Sequence, residues 1–139
     1  MSGKYFVDTN VLIYAHNRSA GEKHRRAAAL VQQLWGSNEG ILSTQVLQEF
    51  CFNIRRKMVK PLSPDDTARI LQQYFHWHIV VNTPISVVDA MILESRYQIS
   101  FWDALILTAA QSSGASIVYS EDFSHGQIYG SVRAINPFQ

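Results

Sequence analysis

The chain has 139 residues, a formal net charge of +1 and one cysteine, Cys51. This length predicts a single domain over 1–139, and the small net charge gives no sign of nucleic-acid binding by the chain as a whole. A lone cysteine excludes an internal disulfide and fits a cytoplasmic location, while the lack of a signal peptide and of any long apolar window predicts no membrane association.

The first half of the sequence alternates short apolar runs with segments of helical periodicity. We predict a strand over 5–7, a helix over 11–15, a polar loop over 16–21, a helix over 22–35 that Gly36 ends, a strand over 40–42, and a helix capped by Ser43 or Thr44. The last of these helices has an apolar face that includes Cys51, which predicts a buried structural thiol. It ends through three cations, Arg55, Arg56 and Lys57.

The second half continues the alternation, and its clearest signal is the helix start at Ser63-Pro64-Asp65-Asp66. We predict a helix from there to about His76, a strand over 79–81, a helix from Thr83-Pro84 to about Tyr97, a helix over 101–113 capped by Ser100, a strand over 116–119, a loop over 120–130 and a strand over 132–135. Alternating strands and helices predict an α/β fold with a largely parallel central sheet flanked by helices.

Three carboxylates stand alone in long stretches without other charged residues. They are Asp8 between Lys4 and Arg18, Glu49 between Glu39 and Arg55, and Asp103 between Arg96 and Glu121. An acid in a core-facing segment is costly unless it is paired, protonated or bound to a cation. No Lys or Arg lies nearby in the sequence, so a shared divalent metal site is the simplest single explanation.

A fourth acid, Asp122, follows a predicted strand, as Asp8 does, and ligands in such folds gather at the carboxyl ends of strands. Each of the four has an ordinary alternative: Asp8 as a helix cap, Glu49 at the edge of an apolar stripe, Asp103 in a first helical turn and Asp122 as a turn cap. Oxygen ligands without paired His or Cys favour Mg²⁺ or Mn²⁺ over Zn²⁺.

Four segments in this order resemble the PIN-domain nucleases, and the length and pattern are similar to those of the VapC-type toxins. They are Asp8-Thr9-Asn10, Glu49 on the helix after the second strand, Ser100 to Ala104 (SFWDA) and Ser120 to Phe123 (SEDF). The resemblance covers essentially the whole chain. It implies a PIN-like three-layer sandwich of short, mostly parallel strands between helices.

The resemblance also implies chemistry: an acidic quartet holds one or two Mg²⁺ ions, or Mn²⁺ in their place, and RNA phosphodiesters are hydrolysed. The metal-site and catalytic residues are then Asp8, Glu49, Asp103 and Asp122, with Asn10, Ser100 and Ser120 as accessory polar residues. Glu121 is an extra acid, and whether Glu121 or Asp122 contacts metal is open, although Asp122 fits the motif better. The partners implied are RNA, a small antitoxin whose tail lies across the cleft, and a second copy of the chain.

Two basic clusters and two histidines are candidate substrate contacts of low weight. The possible RNA contacts are Arg18, Arg25, Arg26, Arg55 and Arg56, for which solvated helix faces are the slightly favoured alternative. His16 and His125 lie in predicted loops that border the expected cleft.

Two rival functions stay open at this point. A Mg²⁺-dependent phosphatase also has an Asp after the first strand, but normally a second Asp two residues later, where this chain has Asn10. The other rival is a PIN fold that only binds or assembles. Loss of a quartet acid would favour it, and all four acids are present.

Overall fold

The computed structural model describes residues 4–56 and 58–139. Lys57, one of the three cations predicted at the end of the helix after Thr44, therefore lies outside the described residues. The elements in chain order are β1 (Tyr5–Val7), α1 (Thr9–His16), a 3₁₀ turn (Arg18–Ala20), α2 (Glu22–Ser37), β2 (Gly40–Ser43), α3 (Thr44–Ile54), α4 (Pro64–Tyr74), β3 (His78–Val80), α5 (Pro84–Tyr97), α6 (Phe101–Ser112), β4 (Ile117–Tyr119), β5 (Ile128–Tyr129) and β6 (Val132–Ile135).

One sheet runs through the fold, with the strand order β3-β2-β1-β4-β6-β5. All neighbouring pairs are parallel except β5 and β6, which form an antiparallel hairpin. The chain builds outward from β1 on one side through β2 and β3, and then returns to the other side of β1 with β4. The carboxyl ends of β1 and β4 therefore flank a topological switch point, where α/β sheets open a crevice for ligands.

Helices cover the sheet in two groups, which confirms the predicted α/β sandwich. Helix α1 packs on α2 and α3, α3 packs on α4, and α5 packs on α6, which also contacts β2, β4 and β6. The centre of the sheet is fully buried, as Phe6, Ile41 and Val118 illustrate. None of the described helices has the length and apolar character needed to cross a membrane.

The differences from the predicted elements have local causes. Helix α1 starts two residues earlier than predicted, because Asp8 caps it directly at the end of β1. Helix α2 continues through Gly36 and ends at Ser37, and Asn38 caps it with a φ of 60°, a left-handed conformation that Asn tolerates. The predicted loop over 120–130 contains β5, whose two residues are too few for an apolar period to mark them.

Cys51 is half-buried rather than buried. It lies on α3 within a surface depression shared with α4 residues such as Ala68 and Leu71. The predicted apolar face of α3 is otherwise present, since Val46, Phe50 and Ile54 are fully buried.

Gly40 is required by a close approach between β2 and the indole of Trp77. A Cβ at this position would lie 2.5 Å from Cε3 and Cζ3 of the Trp77 ring, and Trp77 is itself buried. We predict that Gly40→Ala destabilises the protein by about 1–3 kcal/mol, because the indole or the strand must move. Denaturant unfolding followed by circular dichroism measures this change.

Gly36→Ala is the matched control, since a Cβ there meets no atom within 4 Å and the residue lies inside α2. This substitution stabilises by up to about 1 kcal/mol, because alanine is the better helix former. Equal effects of the two substitutions would contradict the steric account of Gly40.

Candidate active site

A cleft of about 460 Å³ opens at the carboxyl edge of the sheet, and all four predicted acids line it. They come from four separate segments. Asp8 follows β1, Glu49 is on α3, Asp103 is in the first turn of α6, and Asp122 is in the loop after β4. The four acids therefore line one cleft, and their sharing of a metal ion there stays a prediction.

Asp8 is the most deeply placed of the four acids, with 4% of its surface exposed. Its Oδ1 accepts a hydrogen bond from the Thr9 N–H and its Oδ2 accepts one from the Ser120 hydroxyl, both at 2.7 Å. Burial raises the pKa of Asp8 to about 7, although both hydrogen bonds lower it; the negative charges of Asp122 and Glu49 raise it further. Asp8 also caps α1, as the helix-cap alternative predicted, but the cap does not offset the cost of burying its charged form.

Glu49 is held by two residues that the sequence did not single out. Thr9 donates its hydroxyl to Oε1 at 2.6 Å, and Gln45 donates Nε2 to Oε2 at 3.3 Å. Gln45 lies one helical turn before Glu49 on α3, so the i, i+4 spacing was the available signal. The same Nε2 donates to the backbone carbonyl of Trp102 at 3.2 Å, which ties α3 to the helix that bears Asp103.

Asp122 and Asp103 complete the acidic wall. Asn10 donates Nδ2 to Oδ2 of Asp122 at 2.9 Å, and the Asp122 N–H donates to the Ser120 hydroxyl at 3.0 Å. Ser100 caps α6 by accepting from the Asp103 N–H at 3.0 Å, as predicted. Burial raises the pKa of both acids, and for Asp103 the charge of Asp122 is the next cause.

Glu121 faces a different set of groups from Asp122. Its Oε1 accepts from the Tyr14 hydroxyl at 2.9 Å, and its Oε2 pairs with Lys23 at 2.8 Å. The Lys23 ammonium also lies 5.4 Å from the centre of the Phe138 ring. Because Lys23 already neutralises Glu121, Asp122 is the residue of this pair that is available to a cation in the cleft.

The remaining candidate contacts do not line the cleft. Arg25 and Arg26 pair with Glu22 on their own helix, while Arg55 and Arg56 donate to backbone carbonyls one turn earlier on α3. Arg18 is exposed on the 3₁₀ turn. Their contact with RNA stays a prediction.

The two histidines have structural partners instead. The His16 ring packs against Phe50 and Tyr74, with Nε2 2.7 Å from the Tyr74 hydroxyl, and burial lowers the pKa of His16 to about 4. His125 accepts a hydrogen bond from the Asn136 N–H at 2.9 Å.

The donor set fits a hard divalent cation. Within 4–56 and 58–139, no three His, Cys, Asp or Glu side chains converge into a closed metal cage. A closed cage is not what Mg²⁺ requires, because it usually keeps several waters and takes one or two carboxylates directly. The buried Asp8 beside Asp122 and Glu49 is the stronger observation, since no Lys or Arg of 4–56 and 58–139 lines the cleft beside these like charges.

Solved structures similar in fold to this chain include a VapC protein and toxin–antitoxin complexes. Mycobacterium tuberculosis VapC20, a sarcin–ricin loop cleaving toxin, is 21% identical with a TM-score of 0.66 over 86% of this chain and 90% of its own. A toxin–antitoxin complex from Klebsiella pneumoniae is 19% identical with a TM-score of 0.66 over 96% of this chain and 98% of that one. DNA-bound VapBC from Salmonella typhimurium is 13% identical with a TM-score of 0.66 over 95% of this chain and 96% of that one.

At these identities the likeness shows a shared fold, and no curated protein matches the sequence significantly. The family assignment comes from the sequence itself. The PIN domain family profile matches residues 5–130, which is most of the chain and includes all four acids of the cleft. The chain therefore belongs to the PIN domain family.

Proposed function

We propose that this chain is a Mg²⁺-dependent endoribonuclease, with Mn²⁺ able to substitute, that hydrolyses RNA phosphodiester bonds and acts as a toxin. The observation that carries the proposal is the meeting of four carboxylates from four segments in one cleft, in which none of the described lining residues is Lys or Arg. Membership of the PIN domain family and the sarcin–ricin loop cleaving activity named for VapC20 support it.

In this proposal Asp8, Glu49, Asp103 and Asp122 hold the cation and orient water against the phosphodiester. A bound divalent cation offsets the negative charge of the phosphate and activates water near neutral pH. The chain's own groups fix the carboxylates beforehand, since Ser120 donates to Asp8 and Asn10 donates to Asp122. Preorganised ligands of this kind reduce the rearrangement needed when substrate binds.

Asn10 argues against the phosphatase alternative. A phosphatase of that type needs an acid at this position for proton transfer, whereas Asn10 donates to Asp122 and its Oδ1 accepts from the Glu121 N–H at 3.4 Å. An amide in this place cannot exchange a proton near neutral pH. A binding-only PIN fold has no use for four crowded acids, which cost stability unless they bind a cation.

We predict that Asp8→Asn raises the thermal stability of the protein in excess chelator, because it removes a buried negative charge from beside two others. With excess Mg²⁺ the wild type becomes the more stable of the two proteins, because it gains stability through binding the metal whereas the variant gains little. Differential scanning calorimetry with and without the metal measures both effects. The exposed acid Asp89 supplies the control, Asp89→Asn, which changes neither value. A wild type that is indifferent to Mg²⁺ would contradict the metal site.

We predict that Asp103→Asn lowers cleavage of tRNA and rRNA fragments at least about 100-fold while leaving the fold intact. The loss follows from the removal of one negatively charged cleft ligand without a change in side-chain shape. Mapping of cleavage ends by sequencing gives the rate and identifies the RNA. Full activity in this variant, or in excess chelator, would exclude a metal-dependent nuclease; Asp89→Asn again serves as control.

We also propose that a small antitoxin and a second copy of this chain are its protein partners. The proposal of an antitoxin is supported by the fold shared with the toxin–antitoxin complexes and by an acidic cleft suited to a basic tail. The proposal of a second copy is supported by α5, which exposes apolar side chains at successive turns: Ile85, Val87, Val88, Met91 and Ile92. A monomer rarely leaves such a contiguous apolar face in water.

We predict that Met91→Asp converts a homodimer into a monomer, because it introduces a charge into the apolar face of α5. Light scattering coupled to size exclusion, at several concentrations, measures the mass. Phe75→Asp is the control, since Phe75 is equally exposed but lies at the end of α4. A wild-type monomer at every concentration would refute the dimer.

A further inference from the structure

Trp102 is the large apolar side chain that the cleft leaves most open. It is 62% exposed, lies in the first turn of α6, and lines the cleft directly before Asp103 in the sequence. No step of the proposed hydrolysis uses it. An indole on the surface beside a reaction centre offers a flat face of large apolar area to whatever enters the cleft.

The surroundings of Trp102 hold it in place. The Phe101 ring meets the indole edge-on, with centroids 5.2 Å apart and planes at 82°. The backbone carbonyl of Trp102 accepts a hydrogen bond from Gln45 Nε2, which also donates to Glu49. The Gln45 amide can only have this orientation, because its oxygen would otherwise face two acceptors. The backbone of Trp102 is thereby linked through Gln45 to Glu49.

The cleft around the indole combines apolar and amide groups. Ile13, Met58 and Ile106 contribute apolar surface, and Asn17 and Asn53 contribute side-chain amides. A ligand with a flat aromatic face and hydrogen-bonding edges matches this combination, and nucleobases have both. Base pairing hides both features, so the matching ligand is an unpaired base.

We propose that Trp102 stacks on an unpaired nucleobase of RNA and so selects which phosphodiester reaches the acids. The inference rests on the proposed nuclease function and adds a substrate-positioning residue to it. Stacking on an aromatic side chain tolerates any base, so Trp102 selects for single-strandedness and register, while the amides remain free to read base edges.

The test measures binding, separately from cleavage, of a short mixed-sequence single-stranded RNA in Mg²⁺ on the Asp103→Asn background. Trp102→Ala weakens binding about 5- to 150-fold, and Trp102→Phe retains most of it because a ring remains. Phe75→Ala is the matched control, since Phe75 is 60% exposed and lies away from the cleft. Affinity for the same RNA annealed to its complement is equal in all variants.

A set of RNAs with one abasic position each supplies the decisive comparison. At the stacked position, removal of the base weakens RNA binding by the protein that keeps Trp102 but does not weaken binding by Trp102→Ala any further. The losses of affinity from the missing base and from the missing indole are then not additive. Additive losses at every position would overturn the inference. So would loss of antitoxin binding with RNA affinity unchanged, which would make Trp102 a protein anchor.

The two proposals fail in different ways. If the wild type cleaves RNA and Trp102→Ala does not change RNA affinity, the stacking proposal is refuted while the nuclease proposal is retained. Absence of any wild-type cleavage, with the abasic effect intact, refutes the nuclease and retains Trp102 as a base-binding residue.

Discussion

The burial of Asp8 among other acids is the constraint on which the rest of the site depends. Asp8 directly follows the central strand β1, and its N–H donates to the Tyr119 carbonyl of β4 at 2.9 Å, so the side chain cannot move to solvent without disturbing the sheet. Hydrogen bonds from Ser120 and the Thr9 N–H favour the charged form, but burial outweighs them and raises the pKa of Asp8. The charged form of Asp8 is therefore unfavourable in this fold, and the divalent cation that we propose would relieve that cost and so link stability to metal binding.

The sheet order explains why the other acids meet Asp8. The crossover that places β4 beside β1 brings Ser120 and Asp122 to Asp8 from more than a hundred residues away. Three of the carboxylates accept a hydrogen bond from a donor on another element: Ser120 after β4 donates to Asp8, Thr9 on α1 donates to Glu49, and Asn10 on α1 donates to Asp122. Rigid placement by separate elements keeps like charges close without allowing them to separate.

The sequence predicted the alternating elements, because apolar runs and helical periods mark them. Long uncharged stretches also pointed to three acids that the structure places in one cleft with Asp122, although only Asp8 is buried and Glu49 and Asp103 are half-buried. It did not identify Thr9 or Gln45 as supports of Glu49, since side-chain hydrogen bonds between α1, α3 and α6 depend on packing. The choice between Glu121 and Asp122 likewise depended on Lys23, which is remote in the sequence. The sequence assigned Trp102 no role beyond its place in the SFWDA segment, because the exposure of its side chain depends on tertiary structure.

The central claim is that the four carboxylates share a divalent cation in the cleft. Anomalous diffraction from crystals soaked in Mn²⁺ tests it most directly. The account predicts a peak at about 2.1 Å from oxygens of at least one or two of the acids Asp8, Glu49, Asp103 and Asp122, with none at Glu121. A cleft without anomalous signal, in crystals where Mn²⁺ binds surface acids alone, would contradict it.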